Sequence, residues 1–281
     1  MTAAGRFAST VRLARRSPGG RASPVLALLR RDLVEQPILR VSLLFDFAFA
    51  TVNLAIFLLI SRLIPESGGP THSAGYFDFV AVGLAFTIVI QAATAQLTSR
   101  IAREQRGGTL EVLAAQPVRG STLAVGLAAY PFLFAVFRAA VYFAVLGPLL
   151  GLGVDRADWA GVAVLLLLGG AAMAGVGIVL MAFAIVVGHG DLAGRVVVLA
   201  LAFLSGTYFP IETLDPRLET VTAGLPSRVA LDGLRAAVAG DSWIEAALIL
   251  LASTAVLVPA AAWIFGRAVR LAAKRGVLTR D

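Results

Sequence analysis

A helix that crosses a bilayer needs about 20 predominantly apolar residues to bridge a hydrocarbon core of roughly 30 Å, and this chain supplies such runs one after another. Candidate spans fall at 41–64, 76–98, 123–152, 159–187, 193–209 and 243–265. A soluble shell could not be built from what remains, because charged residues are only 15% of the chain and hydrophobic ones 58%. An ordinary soluble domain carries about 25% charged residues. The expected fold class is therefore all-α and membrane-integral, with six transmembrane helices. Five of the runs are long enough to span. The fifth is short, since Val196 to Phe209 rises only about 21 Å as a helix. It must borrow Leu192 to Arg195, thin the bilayer, or stop partway and turn back inside protein. The break at Pro210 favours the last of these.

Basic residues set the orientation. Lys274 is the sole lysine among 24 basic residues, so arginine carries the signal. Arg6, Arg12, Arg15, Arg16, Arg21, Arg30, Arg31 and Arg40 precede the first span. Arg100, Arg103, Arg106 and Arg119 lie between the second and third, Arg195 lies in the next loop on that side, and five more basic residues close the chain. The opposite side has only Arg62, Arg156, Arg217, Arg228 and Arg235. The positive-inside rule then puts both termini in the cytoplasm and makes the span count even. Tyr76, Trp159 and Trp243 each open a span at its outer end, where interfacial aromatics belong.

Residues 1–23 are rich in Arg, Ser, Gly and Ala with no acid, and read as a disordered cytoplasmic tail. The membrane domain then covers 24–281. Its first stretch, PVLALLRRDLVEQPILR at 24–40, suits an amphipathic helix along the inner interface, or a plain polar linker. No signal peptide is expected, because the first long apolar run begins near Val41.

Several chemistries drop out. The chain has no cysteine, which removes disulfides and thiol catalysis. His72 and His189 fall on opposite sides of the membrane and cannot share a metal. Lys274 stands between Ala273 and Arg275, so no Gly-Lys-Ser/Thr phosphate loop exists for nucleotide. The basic charge lies in loops and tails without a nucleic-acid motif. No catalytic, cofactor or metal site is expected on this chain.

Two polar segments remain to be explained. The first is RIAREQRGGTLEVLAAQPVRGSTL, residues 100–123. Gly107 and Gly108 permit a turn, and Thr109 to Gln116 can form a short helix ended by Pro117. Such a helix under the membrane is either a docking surface or a solvated connector. The second is LSGTYFPIETLDPRLETVTAGLPSRVALDGLRAAVAG, residues 204–240, with proline breaks at Pro210, Pro216 and Pro226. Inside the spans, Asn53, Gln91 and Arg138 are costly at membrane depth, at least about 2.5 kcal/mol for a charge. They line a path, or Arg138 simply pairs with an acid. Span four carries Gly169, Gly170, Gly175 and Gly177 in small-xxx-small spacing, which suits packing within the bundle.

Both polar segments resemble the ABC-2 type transporter permeases. The first is similar to their R-E-x-x-x-G-T-L-E-x-L-x-x-x-P pattern through Arg103, Glu104, Gly108, Thr109, Leu110, Glu111, Leu113 and Pro117. The second is similar to the segment that follows their fifth span, with Asp215-Pro216 departing from a more usual Leu-Pro. The resemblance implies that residues 104–117 form a cytoplasmic coupling helix seated in a cleft of a separate ATPase subunit. That partner would bind the ATP and magnesium. It also implies a second permease copy or relative, and a re-entrant extracellular hairpin in which Ser205, Gly206, Tyr208, Phe209 and Pro210 shape an outer gate. The similarity is nearest to daunorubicin-resistance-like exporters, which implies a bacterial plasma-membrane location and outward movement of an amphipathic drug or lipid-like molecule. A glycan or teichoic-acid exporter of the same superfamily is the alternative. From another class, a secondary transporter or channel without ATPase would account for the intramembrane polar residues but not for 100–123.

Overall fold

In the computed structural model the described residues are 24–35, 39–63, 73–116, 118–146, 149, 151–187, 190–211 and 216–275. The expected tail at 1–23, Pro117, His72 and His189 lie outside them. Among the described residues every regular element is helical. Helix α1 is Pro24–Glu35 and α2 is Leu39–Leu63. Helix α3, Ser73–Gln91, runs through a wide π turn at Ala92–Gln96 into α4, Leu97–Arg106, and α5 is the short Thr109–Ala114. Helix α6, Gly120–Val141, continues as a π turn through Leu146. Helix α7 is Trp159–Val187, α8 Gly190–Leu204, α9 Pro216–Thr222, α10 Pro226–Ala239 and α11 Ile244–Arg275.

Four stretches are long and apolar enough to cross a membrane: Gly75–Arg106, Gly120–Val145, Trp159–Val187 and Ile244–Lys274. Phe47–Leu63 and Leu192–Leu204 are shorter apolar helices. The second and last spans run well beyond their expected ends at 98 and 265, because the polar ends of α4 and α11 stay helical. The described part of the third continues as a π turn to Leu146.

Helix α7 is the hub, packing most extensively against α11 and then against α10, α6 and α4. Its glycines make this possible, since in lipid helices associate through close backbone packing rather than through water exclusion. A Cβ at Gly177 would strike the Ala93 carbonyl on the π turn, one at Gly169 would lie 2.7 Å from the Ala230 Cβ of α10, and one at Gly175 would lie 3.2 Å from the Leu257 Cβ of α11. The small-residue stripe thus packs inside the chain, as its spacing suggested. Pro131 and Pro259 sit within α6 and α11, and the Leu127 carbonyl that Pro131 leaves open accepts from Arg100 of α4.

Two buried clusters stack along the bundle. One, built on Phe86, Phe143, Leu165, Leu231 and Leu234, sits under α10. The other, built on Leu97, Ile101, Leu110, Leu127, Met181 and Phe265, sits under α5. The loop Asp158 closes the end opposite α5. Its Oδ1 accepts from the Ala160 and Gly161 amides and caps α7, while its Oδ2 accepts from the Trp243 indole at 2.7 Å. Trp243 therefore ties the start of α11 to the start of α7. These three donors, the indole first, hold the Asp158 carboxyl below the usual aspartate range.

Candidate coupling surface and outer hairpin

Helix α4 ends at Arg106, and the chain reverses through Gly107 and Gly108, the latter in the left-handed region at φ 67°. Only glycine takes this conformation without steric cost. It launches α5 so that Leu110 is fully buried in the second cluster and Leu113 packs against it. Glu111 and Val112 face outward, Val112 being 47% exposed, and Arg103 and Arg119 are also exposed. The turn is pinned from inside: the Thr109 hydroxyl bonds the Glu104 carboxylate and carbonyl.

Helix α1 is bolted to this unit. Arg31 Nη2 lies 3.0 Å from Glu104 Oε1, and Arg100 Nη2 donates to both oxygens of the buried Asp32 at 2.7 Å. Arg100 also donates to the Leu127 carbonyl of α6, at 3.2 Å. Leu28 of α1 fills the space over Gly126 of α6, where a Cβ would overlap it. A charge pair this buried is weak support for stability in itself, but removing one member leaves an uncompensated charge. Asp32, Arg31 and Arg100 were not among the residues singled out from sequence, since their pairing joins elements about seventy positions apart. Gln105 reaches the Ile185 carbonyl of α7, which ties α4 to the hub.

At the other end, α8 stops at Leu204, six residues before the proline expected to break it. The amide of Gly206, at φ 71°, bonds the Phe203 carbonyl, and the Thr207 amide bonds the Ala202 carbonyl. This paired closure is the Schellman cap, for which a left-handed glycine is the preferred residue. The Ser-Gly pair was therefore the readable stop signal, and Pro210 only prevents resumption. Helix α8 has 15 residues, about 22 Å of rise.

Beyond the cap the chain folds into the protein. Ser205 and Thr207 are buried, and the Thr207 carbonyl lies against Gly83 of α3 where no side chain would fit. Tyr208 stacks on Phe57 of α2 at 5.9 Å, and Phe209 meets Phe203 edge-on at 5.1 Å. Helix α10 holds this turn. Arg235 Nη2 donates to the Gly206 carbonyl at 2.7 Å, with its guanidinium 3.4 Å above the Phe79 ring. Asp232 bridges Arg235 and Arg228, at 3.3 and 3.4 Å. Arg228 in turn donates to the Glu219 carbonyl and Thr222 hydroxyl at the end of α9, at 3.0 and 2.7 Å. A polar cavity of about 250 Å³ lies between these groups and Pro210. Arg228, Asp232 and Arg235 escaped selection from sequence, although their i, i+4, i+7 spacing marks one helix face.

The structure thus gathers Ser205, Gly206, Tyr208, Phe209 and Pro210 into one turn, and Asn53 sits one helical turn from Phe57. The Asn53 amide donates back to the Phe49 carbonyl of its own helix. Gln91 is exposed at the start of the π turn, and Arg138 lies over Phe134 of α6 at 5.8 Å. No metal-binding cluster of His, Asp or Glu occurs among the described residues.

These features define a multi-pass helical membrane domain with an outward-facing short helix at one end and a buried irregular turn at the other. The profile of the ABC-2 type transporter family matches residues 25–239, and the chain belongs to that family. It carries the membrane domain of an ABC-type permease, a transport component whose family normally works with an ATPase partner. No curated protein matches the chain.

Proposed function

We propose that this chain is the permease half of an ATP-binding cassette exporter, with α2, α3–α4, α6, α7, α8 and α11 as its six spans and both termini in the cytoplasm of a bacterial cell. A separate ATPase subunit hydrolyses the ATP and docks on residues 103–117, chiefly through Glu111, Val112 and the neighbouring arginines. A second permease copy or relative completes the pathway. The single observation that carries this reading is the construction of α5. It is a six-residue helix, too short to be stable alone, yet rigidly seated by Leu110, Gly108 and the Glu104–Thr109 contact while Glu111 and Val112 face away from the bundle. A mere connector has no need of such support, whereas a lever does.

Nucleotide-driven closure of the ATPases would push α5, and the α1–α4–α6 unit with it, so that the hub helix tilts as a body. The buried turn at Ser205–Pro210, gripped by Arg235, would serve as the outer gate, with Asn53, Gln91 and Arg138 facing the route of the cargo. An amphipathic drug or lipid-like cargo is the reading that the resemblance to daunorubicin-resistance-like exporters favours. The test is Glu111→Lys in the complex reconstituted with its ATPase. Membrane insertion should be unchanged, and substrate-stimulated ATP hydrolysis should fall about tenfold, equivalent to roughly 1.4 kcal/mol of docking or coupling energy. Undiminished stimulation would sink the proposal.

A further inference from the structure

Helices α7 and α11 run side by side from Asp158 and Trp243 and touch at Gly175 and Leu257. Between their later turns lies a cavity of about 810 Å³, open along one side. Its walls are Val179, Phe183 and Val186 of α7 with Ile264 and Leu271 of α11, and all five are at least a third exposed or partly so. Arg267, Arg270 and Lys274 line the same groove, and among the described residues no carboxylate pairs with any of them. Arg267 is held by stacking 4.0 Å over the Trp263 ring. The groove lies at the end of the bundle that carries α5, since Gly266 is packed against Gly120 at the start of α6.

We propose that this groove is a binding site for an anionic phospholipid of the cytoplasmic leaflet. Acyl chains lie against Phe183, Val186 and Leu271, and the phosphate meets Arg267, Arg270 and Lys274. An apolar slot with three cations at its mouth that no carboxylate among the described residues pairs matches this molecule in both its parts. A zwitterionic lipid brings its phosphate already paired with a headgroup cation that the three basic side chains repel, and a soluble anion satisfies only the mouth. Basic pockets between membrane helices on the cytoplasmic side select anionic headgroups for this reason. The cations follow within about two helical turns of Gly266, whose neighbour Gly120 begins the helix that follows α5, so a bound lipid would brace the base of the coupling unit. The inference rests on the membrane orientation proposed above, but not on the ATPase or the cargo.

The test is native mass spectrometry of the purified chain from nanodiscs holding equal phosphatidylglycerol and phosphatidylcholine of matched acyl length in both leaflets. Wild type should retain phosphatidylglycerol in preference. R267Q/R270Q/K274Q should lower that retention about fivefold per charge removed, while R267K/R270K keeps the preference. Val186→Trp, which fills the slot and spares the cations, should reduce retention of both lipids. Equal retention of the two lipids by wild type, or unchanged retention in the glutamine variant, overturns the site. Disulfide capture of two Val186→Cys chains through this groove would also overturn it, assigning the face to a second copy. Because both leaflets carry the lipid, failure here leaves the permease reading standing, and a failed Glu111→Lys test leaves this site standing.

Discussion

Single residues at both ends of this bundle act by fixing elements rather than by chemistry. Asp32 neutralises Arg100 inside the protein, and through Arg31 and Glu104 the pairing reaches the base of α5. Asp158 does comparable work at the far end, where Trp243 and the first amides of α7 hold its carboxyl below the ordinary aspartate value. A carboxyl that ionises more readily folded than unfolded contributes stability above its unfolded pKa of about 3.9, and that contribution is lost as pH falls through the lowered folded value. Asp158→Asn keeps a capping side chain but removes the charge. Melting temperature measured from about pH 5 to about pH 3 should therefore fall less steeply in Asp158→Asn than in wild type. A parallel fall in both proteins would show that Asp158 adds nothing to the acid limb.

At the scale of elements, the bundle is set by places where backbones touch. Gly177 faces the Ala93 carbonyl on the π turn of α3, with no room for a methyl group. Gly177→Ala should cost about 1–3 kcal/mol through forced displacement of α3 or α7, seen as a lowered melting temperature in detergent. Gly75→Ala, with nothing within 4 Å, is the matched control and should melt as wild type does. The outer turn depends on a different contact, the grip of Arg235 on the Gly206 carbonyl. The chain has no cysteine, so Thr207→Cys gives a single label at a site only 1% exposed. Combining it with Arg235→Gln should raise the maleimide labelling rate about tenfold by loosening the turn, since local opening governs access to a buried group. An unchanged rate would mean that Gly83 and the aromatic stacks hold the turn without Arg235.

For the whole molecule, the question is which end faces the cytoplasm. Glu111 and Asp241 are exposed near opposite ends of the bundle, so Glu111→Cys and Asp241→Cys report the two sides. In right-side-out vesicles an impermeant maleimide should modify Asp241→Cys and spare Glu111→Cys, with the pattern reversed in inverted vesicles. Labelling of Glu111→Cys from outside would remove the basis for a cytosolic ATPase partner. Contacts run from α4 through Gln105 and Ile185 to α7, and from α7 to α10, which grips the outer turn.

Helicity, membrane residence and the two polar segments were legible in sequence because they are local. Apolar run length, arginine placement and the Gly-Gly turn before Thr109 each act within a few residues. The end of α8 was local too, but its signal lay in Ser205-Gly206 rather than in Pro210, because a left-handed glycine closes the helix before proline can interrupt it. What pairs with what was decided only in three dimensions. Asp32 with Arg100, Arg235 with Gly206 and Gly177 with Ala93 join positions far apart in the chain. Which small residues meet also depends on how neighbouring helices cross, and no single run of sequence contains that crossing. The basic groove between α7 and α11 arises in the same way, from residues of two helices that lie far apart in the chain.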